Sequence, residues 1–287
     1  MIHFKSLDTL SFKEASELFN KGFEGYSIPM SPPLDAYVAR FGNEGLSPEC
    51  SVVMLEDEKP IGFVLQGIRE VDGKKISWNG GTGIIPSHRG KGLGRQLMEG
   101  AEQVLREKGV HISTLEALSM NEPAIRLYQS VGYDIEDQLL FLEQEGRIEY
   151  SPAAIATERF PAFQAIGASI FNPVVPWQID PANTPKVGGE VLVAKRGNDV
   201  IAAVLFRKRQ TNGKEIEGIT LFQAVAEETD EGLSALKALL AEAMEFTKPV
   251  KRTTYNFQIG DGRAVDFLKS VGFKETNISQ VFMVKEL

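Results

Sequence analysis

Residues 83–98 read GIIPSHRGKGLGRQLM. An apolar β-type run closes at Pro86, and Leu93, Leu97, Ala101, Val104 and Leu105 then recur at helical spacing. Between the two stand a pair of cations, Arg89 and Lys91, and the glycines Gly90, Gly92 and Gly94. The first N–H groups of a helix have no intrahelical partner and carry a partial positive charge. Glycines let such a backbone approach an anion closely, and the cations add full charges. The segment Arg89, Gly90, Lys91, Gly92, Leu93, Gly94 therefore reads as a diphosphate cradle, with a plain structural turn as the competing reading.

Two familiar phosphate loops do not fit. A P-loop has four residues between its first glycine and a Gly-Lys pair followed by Ser or Thr. Here six residues separate Gly83 from Gly90-Lys91, and Gly92 follows. The dinucleotide fingerprint needs a third glycine that GKGLGR lacks at that place.

Upstream, 51–86 gives β-type runs broken by turn signals at Asp57–Lys59 and Asp72-Gly73, which predicts antiparallel strands. Downstream, Gly109 closes the helix and VHISTLEAL (110–118) is a strand. NEPAIRLYQSVGY (121–133) is a short helix with Asn121 as N-cap, Pro123 in its first turn and Gly132 as C-cap. YDIEDQLLFLE (133–143) returns as a last strand, and FKEASELFNKGF (12–23) places a helix ahead of the sheet. This is a mixed α/β layout.

The layout occurs twice. KPIGFVLQGI (59–68) matches DVIAAVLFRK (199–208), VDGKKI (71–76) matches TNGKEI (211–216), KGLG (91–94) matches EGLS (231–234), and AIRLYQSVGY (124–133) matches AVDFLKSVGF (264–273). The offset is 140 in every pair, as in Ile61 to Ile201 and Gly132 to Gly272. A fixed offset over this span implies two copies of one fold, dividing near 145–150 into domains 1–145 and 146–287.

Composition narrows the function. The chain has 287 residues and a net charge of −8, which argues against nucleic acid as a partner. No apolar run approaches the ~20 residues of a membrane span, and the charged N-terminus does not read as a signal peptide. The single cysteine, Cys50, allows no intramolecular disulfide and suits a reducing, cytoplasmic compartment. Three histidines and one cysteine make no metal-ligand spacing, so no metal is expected.

The order GIIPSHRGKGLGRQLM, then NEPAIRLYQSVGY some thirty residues on, resembles the GNAT superfamily of acyl-CoA-dependent N-acetyltransferases. Arg89, Gly92 and Gly94 meet the family's Q/R-x-x-G-x-G/A loop, and Asn121, Ala124, Leu127, Tyr128, Gly132 and Tyr133 meet its later helix motif. The resemblance covers about 50–143 well and the first fifty residues loosely. It implies two tandem domains, each a mixed, mostly antiparallel splayed sheet flanked by helices. It also implies acetyl-CoA as cosubstrate, with pantetheine between the strand ending at Pro86 and the strand at 111–118. Backbone amides near Ile84 and Ile85 would hold pantetheine and polarise the thioester carbonyl, and 89–94 would hold the diphosphate, with Asn121 contacting the cofactor as well as capping its helix.

In the family a tyrosine at the place of Tyr128 protonates the departing thiolate; the alternative is a core tyrosine. A protonated amine acceptor must lose a proton, and Glu116, on the strand beside the splay, is the first candidate base. Its alternative is an outward strand carboxylate. His88 reads as an exposed loop residue, and His111 as the start of a strand. FEGYSIPMSP (23–32) lies where the family covers its acceptor site, so Phe23, Tyr26 and Met30 are expected to line it.

The second copy is an internal control. Arg89 becomes Thr229, Lys91 becomes Glu231, Gly94 becomes Ser234, Tyr128 becomes Leu268 and Glu116 becomes Asn256. Carboxylates at 227–231 would repel a diphosphate. The second domain is therefore expected to keep the fold without binding CoA, serving as structure or as a wall of the acceptor pocket. Because the fold survives without the loop cations, Arg89 and Lys91 are expected to answer to a ligand. The expected activity is direct acetyl transfer to a small-molecule primary amine; a non-catalytic acyl-CoA sensor is the alternative.

Overall fold

The computed structural model describes the chain except for residues 185–187, 212–214 and 261. The repeat's second turn, at 212–214, thus lies outside the described residues. The chain divides into two compact units that interleave in sequence. The first comprises Met1–Ala117, Asn121–Glu136 and Phe282–Leu287, and the second Leu118–Met120 and Asp137–Val281.

In the first unit the order is β1 (Ile2–Ser6), α1 (Phe12–Gly22), α2 (Leu34–Glu44), β2 (Val52–Glu56), β3 (Lys59–Val71), β4 (Lys74–Ile84), α3 (Leu93–Glu107), β5 (Ile112–Leu118), α4 (Glu122–Ser130) and the opening of β6 (Asp134–Gly146). Strands β1 to β4 pair antiparallel in chain order, and β4 pairs β5 in parallel. Helix α1 starts at a capping box, in which Ser11 and Glu14 each satisfy the other's backbone N–H. Its buried face, Ala15, Leu18, Phe19 and Gly22, follows helical spacing. The Phe63 ring on β3 lies 5.4 Å from that of Phe19, whereas a Cβ on the next-door Gly62 would stand 3.3 Å from Leu97 of α3. Alternation along β3 thus puts α1 and α3 on opposite faces of the sheet. A Cβ on Gly22 would meet the Phe63 ring at 2.5 Å and the Gly83 Cα at 3.3 Å, so glycine lets the end of α1 lie directly on β4.

The last residues of β13 (Lys274–Glu286) belong to this unit. Lys285 pairs with Glu102 of α3 and donates to the Val131 carbonyl, and the Leu287 N–H donates to the His111 carbonyl. Burial raises the Glu102 pKa, but Lys285 and Arg106 outweigh it and hold the group below the usual range.

The second unit runs β7 (Thr157–Pro161), β8 (Gly189–Arg196), β9 (Asp199–Gln210), β10 (Ile216–Ala226), α5 (Asp230–Ala243), β11 (Val250–Thr254), β12 (Phe257–Gln258) and α6 (Arg263–Ser270), with most of β6 and β13. Again the strands up to β10 pair antiparallel, and β10 pairs β11 in parallel. The repeat is plain in the elements: β6 and β13 are offset by 140 at both ends. The leading helices are not repeated. In their place the described residues have short 3-10 turns at Ala162–Ala165 and Trp177–Ile179, in a segment broken by Pro161, Pro173, Pro176 and Pro181.

Arg252 on β11 is fully buried. It donates to the carbonyls of Met244, Glu245, Lys248, Val250 and Gly146 and to the Gln144 amide oxygen, so it ties the chain leaving α5 to two strands. Among the described residues, no helix is long and apolar enough to cross a membrane.

Candidate active site

In the first unit β4 and β5 pair only from Ile76↔Ile112 to Asn79↔Leu115, although both strands continue beyond. They part at a bulge. The β3–β4 register shifts at Gly80, whose carbonyl accepts from Arg40 of α2 at 2.9 Å. The Asn79 side chain holds the bulge, accepting from the Gly81 N–H at 3.0 Å and donating to the Thr82 hydroxyl at 2.8 Å.

Beyond the bulge the Ile85 N–H donates to the Ile61 carbonyl at 2.9 Å. Antiparallel alternation then turns the N–H groups of Thr82 and Ile84 to the parted edge. Of the two amides expected to face pantetheine, that of Ile84 points to the parted edge and that of Ile85 is spent on β3.

The loop after β4 also divides its roles. Gly90 and Gly92 have φ of +74° and +75°, and Gly92 is the N-cap of α3. No side chain caps that helix and no acid lies in its first turn, so its N–H groups stand open. Gly94 serves packing, since a Cβ there would be 3.0 Å from Leu127 of α4. Arg89 folds back along the chain, with Nε donating to the Ile84 carbonyl at 2.8 Å and Nη2 to the Gly22 carbonyl at 2.9 Å. Arg89 is thus tied to the junction of α1, β4 and loop while remaining exposed, as Lys91 is.

Tyr128 of α4 is buried, and its phenol faces the Thr82 hydroxyl. Burial pushes its pKa up. The Tyr26 phenol, also raised by burial, faces the Asn121 side chain, whose oxygen caps α4 by accepting from the Ala124 N–H at 3.3 Å. Phe23 packs against Phe19 and, edge to face, against Tyr26, with ring centroids 4.7 and 5.3 Å away, beside Gly81. The fold thus brings Phe23, Tyr26, Asn121 and Tyr128 near one another and adds Thr82, whose only sequence signal was its setting in NGGTG. Met30 is half-buried on the segment leading to α2.

Glu116 accepts from the Trp78 indole at 2.7 Å and is half-buried. Trp78 packs over Gly80 on the α1 face, whereas Thr82 touches the Met98 sulfur of α3 at 3.7 Å. Carboxylate and phenol therefore approach the splay from opposite faces. His88 bonds Glu56 at 3.0 Å and His111 accepts from the Lys75 N–H at 3.1 Å, so both serve loop and strand ends. Among the described residues no three His, Cys, Asp or Glu side chains are grouped as metal ligands.

Strands parted beside an open helix N-terminus are the arrangement that the sequence resemblance implied for an acyl-CoA-using transferase. Residues 12–133 match the model of the Acetyltransferase (GNAT) family. A streptothricin acetyltransferase of Streptomyces lavendulae is 34% identical over 125 residues, 39% of this chain and 63% of that protein. An L-methionine sulfoximine/L-methionine sulfone acetyltransferase of Salmonella typhimurium is 32% identical over 71 residues, 25% of this chain and 42% of that protein. The chain thus spans less than two thirds of the length of these curated relatives. A tandem GNAT protein from the clavulanic acid biosynthesis pathway shares the fold, with a TM-score of 0.52 at 13% identity over 100% of this chain and 98% of that one.

Proposed function

We propose that the chain is an acetyl-CoA-dependent N-acetyltransferase that passes acetyl directly to a small primary amine, using its first copy, 1–145. One observation carries the reading: the open N-terminus of α3, the edge amide of Ile84 and the buried Tyr128 phenol converge in one unit. Bound acetyl-CoA supplies an activated thioester. The α3 N–H groups, Gly90, Gly92 and Lys91 suit its diphosphate, and the edge N–H groups of Thr82 and Ile84 suit pantetheine and the thioester carbonyl. Tyr128 keeps its proton at Oη well above neutral pH and presents it to a departing sulfur. Glu116, fixed by Trp78, receives the proton of the amine. Cys50, the only cysteine, is buried, which supports direct transfer over an acyl-cysteine route.

Phe23, Tyr26 and Met30 form the acceptor side in this reading. A small amine agrees with the names of the relatives and with a net charge of −8, which favours cationic partners. The cytoplasm, with its CoA thioesters, is the compartment assigned.

The second copy, 146–287, is proposed not to bind CoA. Thr229 caps α5 by accepting from the Gly232 N–H at 3.0 Å, and Asp230 and Glu231 occupy its first turn. The Glu227 carbonyl lies where a Cβ on Gly232 would come within 2.5 Å of it. Leu268, fully buried, stands in place of Tyr128, and Phe222 in place of Thr82.

The test is thiol release from acetyl-CoA across an amine library, beside calorimetry with CoA. Expected are one CoA per chain and amine-dependent release that Tyr128→Phe suppresses. Failure to bind CoA overturns the reading; binding without release on any amine replaces it with a sensor.

A further inference from the structure

We infer that the second unit carries a binding cleft of its own, for a small extended amide with a cationic end. The ladder of β10 and β11 runs from Gly218↔Lys251 to Leu221↔Thr254 and stops. Phe222 is an extra residue in β10, where its register against β9 shifts. On the far side Asn256 adopts φ +45°, and β12 leaves to pair with β6. The parted strands enclose a cavity of 310 Å³, lined among others by Phe222, Ala224, Phe257, Ile179, Leu236 and Arg263. That is within the ~300–1,000 Å³ of small-molecule sites.

The cavity has an open strand edge. The Glu227 N–H donates to the Ile201 carbonyl at 2.9 Å, and Val225 stands opposite Ala203. Alternation therefore turns the N–H and C=O of Ala224 and Ala226 away from β9 and towards the cavity. The Ala226 carbonyl is found there, accepting from Arg263 Nη2 at 3.2 Å. Ala224 offers one donor and one acceptor at the spacing of a strand edge, which fits a ligand bearing an amide carbonyl and an N–H. The Phe222 and Phe257 side chains supply an apolar wall.

Charge selects the ligand's end. Asp137 and Glu228 line the cavity, and Asp230 and Glu231 follow in the first turn of α5. Among the described lining residues the cation is Arg263, bound to the carbonyls of Ala226 and Glu227, and beyond the lining Arg196 pairs with Glu227 and Glu231, so the charge at the mouth rests on Asp137 and Glu228. An acidic mouth repels an anionic tail and attracts an ammonium group. This inference involves neither CoA nor acetyl transfer and stands apart from the proposed function.

The test is amide chemical-shift mapping of the ¹⁵N-labelled full chain, with calorimetry, using alanyl-lysinamide, N-acetyl-aspartyl-glutamate and pantetheine as probes. Alanyl-lysinamide is expected to shift the amides at 224–226 and 257–260 saturably and to bind roughly tenfold or more tightly than the anionic dipeptide. Ala224→Pro removes the donor and should abolish binding. Glu228→Lys, an exposed change that spares the fold, should weaken alanyl-lysinamide and narrow the gap to the anionic probe. The inference is overturned by shifts that are absent or confined to 83–94, by equal affinity for the two dipeptides, by tighter binding of pantetheine, or by Glu228→Lys leaving the preference intact.

Discussion

Arg89 Nε stands 2.8 Å from the Ile84 carbonyl oxygen, so the loop's first cation grips the strand whose edge amide faces the splay. The two loop cations should consequently fail in different ways. Lys91→Ala is expected to weaken CoA binding by up to roughly 1 kcal/mol, as for an exposed charge, and less so in high salt. Arg89→Ala removes the donor to the carbonyls of Ile84 and Gly22 and, because the arginine is exposed and water can take its place, should cost about 0.5–1.5 kcal/mol of stability. Thermal melts and CoA titrations over a salt series separate the two. A salt-dependent loss of affinity in Arg89→Ala without lost stability would show that its charge serves the ligand after all.

Tyr128→Phe removes one oxygen and keeps the buried ring. Turnover should fall roughly 100-fold or more, as for loss of a positioned general acid, while CoA affinity holds. Thr82→Val, which removes the hydroxyl facing the phenol, should lower turnover by a smaller factor. Single-turnover thiol release measures both; full activity in Tyr128→Phe would return Tyr128 to the core.

Alkaline pH should unfold the first unit. Burial raises the phenols of Tyr37, to about 12, and of Tyr128 and Tyr133. A raised folded-state pKa means that the unfolded chain loses its proton first, near pH ~10 for tyrosine. The stability is whole below that value and falls as pH rises from there through the folded pKa values. Melting temperature should therefore drop steadily above pH ~10, with part of the phenolate absorbance appearing only on unfolding. Free titration of all 6 tyrosines in the folded chain would contradict this.

Arg252→Met is expected to destabilise the second unit by on the order of 3–5 kcal/mol, because several buried carbonyls lose their donor together. Arg252→Lys should restore only part, since an ammonium cannot span acceptors that the guanidinium fork reaches at once. Urea denaturation followed by circular dichroism reads the midpoint. An unchanged midpoint in Arg252→Met would mean that water or rearranged backbone satisfies these carbonyls.

The elements and the repeat were legible because their signals are local. Apolar periodicity placed α1 and α3. A side-chain oxygen three residues before the N–H that donates to it made Asn121 a cap. Asp72-Gly73 marked the hairpin between β3 and β4. The fixed offset carried the order of strands and helices into the second unit, except where prolines replace the leading helices. Tyr128 and Asn121 were legible through the motif, but Thr82 was not. Its place in the site depends on the bulge at Gly80, and nothing local says which of two adjacent glycines takes it.

The sequence by itself determined the fold class, the duplication, the glycine loop at the start of α3 and the loss of that loop's charges in the second copy, since each is written in neighbouring residues or in one constant spacing. The tertiary structure alone decided which way Arg89 points, which of Ile84 and Ile85 keeps an unspent amide, and that the last six residues complete the first unit. Those outcomes rest on strand register and on partners far along the chain, where a one-residue shift exchanges the two edges of a strand.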